Sequence, residues 1–160
     1  MTDHHLAQIN IGRIVADTPD DPRLADFMNA LEEINALAEA SPGFVWRLQS
    51  DSGNATDIHA FDDPRLLINM SVWGSVEALR TYVYQSAHTP FVRRRREWFE
   101  APAGAIMALW WVPAGHLPSL EEAKERLDHL TRHGPTEHAF TFKQSFAAPA
   151  AELGDSRAAQ

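Results

Sequence analysis

The stretch from Leu66 to Phe99, LLINMSVWGSVEALRTYVYQSAHTPFVRRRREWF, constrains the fold more than any other part of the chain. It opens with an apolar run, Leu66 to Trp73, of the length of a strand. Gly74 and Ser75 break the run, and Ser75 is a good N-cap for a helix over Val76–Gln85. Thr89-Pro90 then restarts a helical turn that runs to about Glu100, again as cap followed by proline. One tryptophan at a strand end, His88 at a helix break and the run Arg93 to Arg96 therefore fall within a single strand–helix unit. Polar groups at the ends of regular elements, aimed at a shared apolar hollow, are the material of small-ligand sites.

The rest of the chain repeats this grammar. Leu6 to Ile14 alternates as a first strand, with Leu6, Gln8 and Asn10 on one face and Ala7, Ile9 and Ile11 on the other. Asp21-Pro22 reads as cap then proline, and Leu24, Phe27, Met28, Leu31, Ile34 and Leu37 recur at helical spacing until Ser41-Pro42-Gly43. Phe44 to Gln49 is a second strand, and the loops Asp51–Asp57 and Asp62–Pro64 precede the third, Leu66–Trp73. Ala105 to Val112, almost wholly apolar and containing Trp110-Trp111, predicts a central strand buried on both faces. Ser119-Leu120-Glu121-Glu122 is a capping box, with Leu120, Ala123, Leu127 and Leu130 as the buried stripe and Glu122 and Arg126 on the wet side. Gly134-Pro135 stops that helix, and Ala139 to Phe146 predicts a last strand.

The order β-α-β-β-α-β, then α-β, is an α+β, ferredoxin-like arrangement with an added C-terminal helix and strand. It makes one domain over residues 1–146, followed by a tail, 147–160, too poor in apolar residues to order. Helices on one face leave the other face of the sheet bare. Such a sheet is expected to pack against a second copy as a homodimer, with Trp110 or Trp111 in the interface.

Composition removes several function classes. A net charge of −8 speaks against nucleic-acid binding, since Arg93 to Arg96 is the only concentrated basic run. No apolar run is long enough to span a membrane. The chain has no cysteine, which excludes disulfides, thiolate catalysis and cysteine-ligated metal sites. The start, Met-Thr-Asp-His-His, lacks the pattern of an export signal, so a cytoplasmic location is expected and His4 and His5 fall in a frayed terminus.

Taken as a set, Ser41 to Leu48 (SPGFVWRL), Ser75 to Leu79, Ser86-Ala87-His88, Arg94 to Phe99 (RRREWF), Leu109 to His116 and Gly134-Pro135-Thr136 resemble a bacterial family catalogued as domain of unknown function 3291. That family is similar to the dimeric α+β barrel superfamily, which contains antibiotic-biosynthesis and haem-degrading monooxygenases. The resemblance implies a monooxygenase-like enzyme that acts on an aromatic or polyketide-type substrate without a bound cofactor. In such enzymes an Asn on the first strand, a Trp ending the third and a His near the second helix orient and deprotonate the substrate. Asn10, Trp73 and His88 occupy those places here. The alternative is a non-catalytic protein that holds haem or a hydrophobic metabolite.

Each of these residues also has an ordinary reading. His88 is either a general base or a helix-terminus side chain that bonds backbone carbonyls. Asn10 either orients a ligand or ties strand to loop, and Trp73 either donates its indole N–H into a pocket or is core. Of the four arginines, Arg95 is the choice for holding a phenolate or carboxylate. Trp98 and Trp111 are core, interface or an aromatic wall for a ring substrate, and His116 is an exposed loop residue or closes the pocket. His129 and His133 have metal-ligand spacing. They also suit the helix C-terminus as cations, and on that reading no metal is expected.

Overall fold

The computed structural model describes residues 4–17, 21–49, 65–85, 95–100 and 106–149. Four strands, β1 (His4–Arg13), β2 (Phe44–Arg47), β3 (Leu66–Trp73) and β4 (Met107–Pro113), form one antiparallel sheet in the order β2-β3-β1-β4. With helices α1 (Ala25–Ala40) and α2 (Val76–Gln85) between them, this is the βαββαβ arrangement of a ferredoxin-like α+β fold. A short helix α3 (Arg95–Trp98) precedes β4, and α4 (Leu120–His133) follows it. His88, Arg93, the loops at 51–57 and 62–64 and the tail from 150 to 160 lie outside the described residues.

The local signals act as their chemistry requires. The Asp21 carboxylate accepts from the Arg23 N–H at 2.9 Å, and Pro22 opens a short 3₁₀ turn that leads into α1. Ser75 Oγ accepts from the Ala78 N–H at 3.0 Å and starts α2. Ser119 Oγ accepts from the Glu122 N–H at 3.1 Å, and Gly134, at φ 75°, closes α4. Gly43 has φ 86°, and a Cβ there would stand 2.5 Å from the Ala78 Cβ. The helix-to-strand turn at Gly43 therefore depends on a missing side chain, because α2 is pressed against it.

The two faces of β1 meet different neighbours. Leu6, Gln8 and Asn10 face the side of α1 and α2, while Ala7, Ile9 and Ile11 face the other side. On that other side α4 lays Ala123, Leu127 and Leu130 over Ala7, Ile9, Ala108, Trp110 and Val112. The face expected to be bare is thus covered by the chain itself over β1 and β4. Ile11, Trp46 and Leu48 remain only partly buried beside it.

Several expectations change for the same reason. Strand β4 is an edge strand, yet it is buried, because α4 covers one face and Leu109 exchanges two backbone hydrogen bonds of 2.8 Å with Phe140. The strand expected over Ala139–Phe146 contracts to that single bridge. Beyond it the Phe142 carbonyl accepts from Arg80 and the Gln144 N–H turns to Thr141 Oγ1, so the backbone is bonded to side chains rather than to a ladder. His4 and His5 are not frayed. They pair with Pro113 and Val112 because β4 extends alongside them. Trp110 is fully buried, and neither Glu122 nor Arg126 is on a wet side. The Trp110 indole donates to Glu122 at 2.9 Å, and the Arg126 guanidinium lies 6.0 Å over its ring.

Burial would raise the Glu122 pKa. Hydrogen bonds from His116 and Trp110, together with the charges of His116 and Arg126, outweigh it and hold the carboxyl below the usual range. A carboxyl depressed on folding stabilises the fold above its unfolded pKa, and that contribution is lost as pH falls through the folded value. Glu122→Gln should therefore destabilise the protein at neutral pH, and this deficit should shrink as pH falls through the carboxylate range. Urea unfolding at several pH values checks it, and parallel curves for the two proteins would reject it. Gly43→Ala should cost roughly 2 kcal/mol or more through strain and overpacking. Adding Ala78→Gly should recover part of that loss in a double-mutant cycle.

Candidate functional site

Between the sheet and the two helices α1 and α2 lies a cavity of about 350 Å³, within the range of small-molecule sites. Its floor is the β1–β3 pair, where the register sets Gln8 opposite Ser71 and Asn10 opposite Asn69. Period two puts these four polar side chains on the same face as Leu6 and Trp73. Leu31, Ile34, Asn35 and Ala38 of α1 and Leu79, Tyr82 and Val83 of α2 form the roof. Phe27, Trp98 and Phe99 wall one end, with Phe27 5.4 Å from Trp98 and 5.2 Å from Phe99. Trp98 is held there because the chain around α3 returns to the end of β1, with Val15 N–H donating to the Trp98 carbonyl at 2.8 Å.

A continuous hydrogen-bond chain organises the floor. The Trp73 indole N–H donates to Ser71 Oγ at 2.8 Å. Gln8 Nε2 donates to the same oxygen at 2.8 Å and to Asn69 Oδ1 at 2.7 Å. Gln8 is 3 % exposed and Ser71 6 %, so both need partners, and they find them in each other. Ser71 Oγ accepts twice, which uses its lone pairs and leaves its own proton to donate. The expected donor, Trp73, is thereby spent on Ser71, and the donor left over the cavity is the Ser71 hydroxyl. Trp73 also stacks on Tyr82, with ring centroids 5.2 Å apart, and meets Phe44 edge-on at 5.4 Å.

Asn10 and Asn35 line the cavity, and among the described residues neither amide has a hydrogen-bond partner. Arg47 lines it too. Its side chain is 11 % exposed, and its Nε donates to Glu39 at 2.8 Å. Burial pushes the Tyr82 phenol well above its ordinary pKa, against the pull of the Arg47 charge, so Tyr82 stays neutral and donates to the Ile34 carbonyl at 3.2 Å. Among the described lining residues there is no carboxylate and no imidazole.

Of the residues singled out in the sequence, the structure brings Asn10, Trp73 and Trp98 together on one cavity. Trp111 and His116 are elsewhere. The Trp111 indole donates to the Phe146 carbonyl at 2.9 Å, and His116 is bonded at 2.7 Å to Glu122, the carboxylate that also takes the Trp110 indole on the α4 side of the sheet. His88 lies outside the described residues, and so does the side chain of Arg95, which opens α3. Gln8, Ser71, Asn35 and Arg47 were missed. Gln8 and Ser71 were within reach of strand alternation, since each lies two residues from a residue already singled out, Asn10 and Trp73. Arg47 was not, because the register shift between Phe44 and Trp46 changes which face it occupies.

Among curated proteins none matches the chain significantly. Solved structures of similar fold include SnoaB from Streptomyces nogalater, a cofactor-independent oxygenase. It is 18 % identical, with 74 % of this chain and 100 % of that one covered and a TM-score of 0.44. PA3566 from Pseudomonas aeruginosa is 13 % identical, with 74 % and 99 % covered and a TM-score of 0.47. NE2512 from Nitrosomonas europaea, a protein of unknown function, is 12 % identical, with 73 % and 97 % covered and a TM-score of 0.44. The family profile described as domain of unknown function (DUF3291) matches residues 5–156, nearly the whole sequence, and the chain belongs to that family.

Proposed function

We propose that the protein is a monooxygenase-like enzyme acting on an aromatic or polyketide-type substrate without a bound cofactor. The observation that carries this reading is the floor of the cavity. An unpartnered Asn10 amide and a Ser71 hydroxyl proton lie on a polar strip under aromatic walls, with the Arg47 cation on the same cavity. The cavity that Trp73 and Trp98 both line is assigned to a flat phenolic or anthrone-like ring. Its oxygen would receive hydrogen bonds from Asn10 and Ser71, and Arg47 would stabilise the charge that develops when the ring is deprotonated.

The carbanion so formed is electron-rich enough to reduce dioxygen itself. An activated CH₂ plus O₂ then gives C=O plus water, with every atom and electron supplied by the two reactants. The proton must go to a base, and His88 is assigned that role. No described lining residue can take it. The second reading is a cavity that binds a hydrophobic metabolite or haem and does no chemistry, and the apolar and aromatic lining supports it.

The described residues contain no helix long and apolar enough to cross a membrane. The patch of Ile11, Trp46 and Leu48 is assigned to a second copy of the chain, a homodimer that sedimentation would register directly.

Oxygen uptake with anthrone and hydroquinone substrates decides between the two functional readings. Under the enzyme reading His88→Ala and Asn10→Ala lower kcat by about 10²-fold, in line with loss of a general base or an oriented donor. No uptake by the wild-type protein, or wild-type rates in both variants, would reject it. A Soret band on adding haemin, lost in His88→Ala, would instead establish the binding reading. Ser71→Ala should weaken a phenolic ligand by about 3–10-fold, as one hydrogen bond is worth, and calorimetric titration measures this.

A further inference from the structure

Among the described residues away from the cavity, a group of metal-type donors stands at the C-terminal end of α4. Glu125, His129 and His133 follow one another at four-residue intervals and so share one side of the helix. The chain then turns at Gly134 and brings His138 back beside them. The His129 ring lies 4.6 Å from the His133 ring and 4.6 Å from the His138 ring, centroid to centroid. His138 Nε2 is 2.7 and 2.9 Å from the two carboxylate oxygens of Glu125. One donor atom from each of Glu125, His129 and His138 lies within 4.8 Å of the others.

The returning segment is braced. Arg126 donates to the His138 carbonyl at 2.8 Å, and Thr136 Oγ1 accepts from the His138 N–H at 3.2 Å. The Thr136 N–H donates to the Ala139 carbonyl at 2.8 Å. Thr136 Oγ1 is also 3.1 Å from His129 Nε2. Cations attracted to the helix C-terminus would account for Arg132 and His133. They do not account for His138, which arrives from a different segment and faces His129 and Glu125.

We propose that Glu125, His129 and His138 bind one divalent transition-metal ion of the zinc type, with water or His133 in the fourth position. Two imidazoles and one carboxylate suit a borderline ion, whereas magnesium and calcium favour all-oxygen sets. Tetrahedral zinc holds its donors about 3.3 Å apart. Small rotations of three side chains that are all at least partly exposed close the remaining distance. The ion would clamp the end of α4 to the segment that inserts Phe140 beside Leu109. Its binding energy would therefore add to the stability of the fold.

The test uses zinc ion alone, titrated calorimetrically into the full chain in a non-chelating buffer, with Tm measured in parallel. One ion per chain should bind, and saturating zinc should raise Tm by several degrees. His129→Ala and His138→Ala, both folded by their Tm without metal, should each weaken binding by about tenfold or more. The double variant His4→Ala/His5→Ala should bind as the wild type does. Cobalt ion should give the visible absorption of a tetrahedral site. The proposal is overturned by no heat and no Tm shift with wild-type protein at about 100 µM zinc. It also fails if His129→Ala and His138→Ala bind unchanged, or if binding disappears in the His4/His5 variant.

Discussion

Strand β1 has to serve two opposite environments at once, and the rest of the structure is arranged around that demand. It lies between β3 and β4, so its backbone is paired on both edges. One set of its side chains, Ala7 and Ile9, belongs to a dry layer closed by α4, with Ile11 half-buried at its edge. The other set, Leu6, Gln8 and Asn10, runs from an apolar cluster into a polar strip. A shift of one residue in register would exchange the two sets, setting Gln8 and Asn10 against α4 and Ile9 into the cavity. The matching polar pair on β3, Ser71 and Asn69, and the apolar pair Met70 and Val72 fix the register by excluding that exchange.

Polarity on the cavity floor is affordable only because it is internally bonded. An isolated buried amide would cost about 1–3 kcal/mol. Gln8, by donating to both Ser71 and Asn69, turns two separate burdens into one shared network that crosses from β1 to β3. In the same network Ser71 Oγ takes the Trp73 indole N–H. The indole then contributes stacking on Tyr82 and rigidity, while a smaller and more easily placed group faces the cavity. Asn10 stands at the open end of this network, where a ligand can complete it.

Most of the element order was readable in the sequence, because it is written in local chemistry: Asp21-Pro22, Ser75, Ser119 and Gly134 mark helix ends wherever they are placed. What lay beyond reading was decided by segments distant in sequence. Strand β4 looked central because it is apolar on both sides. It is an edge strand whose second covering comes from α4 and Phe140, downstream in the chain. Glu122 fitted a capping box, but a buried indole from β4 took its carboxylate. Asn10 and Trp73 were singled out by the family resemblance, and the β1–β3 register with period two then sets both on the cavity face. Arg47 could not be placed there, because a bulge in β2 alters its face, and no periodicity encodes a bulge.

Four of the five tryptophans divide by position into two optical populations, and the fifth, Trp46, is half-buried beside Ile11 and Leu48. Trp73 and Trp98 border the cavity, whereas Trp110 and Trp111 are bonded into the α4 side and the C-terminal segment. Emission from Trp73 and Trp98 responds to a ring bound in the cavity, that from Trp110 to the seating of α4 and that from Trp111 to the seating of the C-terminal segment. The protein thus carries its own fluorescent report on occupancy, separable from its report on folding by replacing Trp73 or Trp98 with phenylalanine.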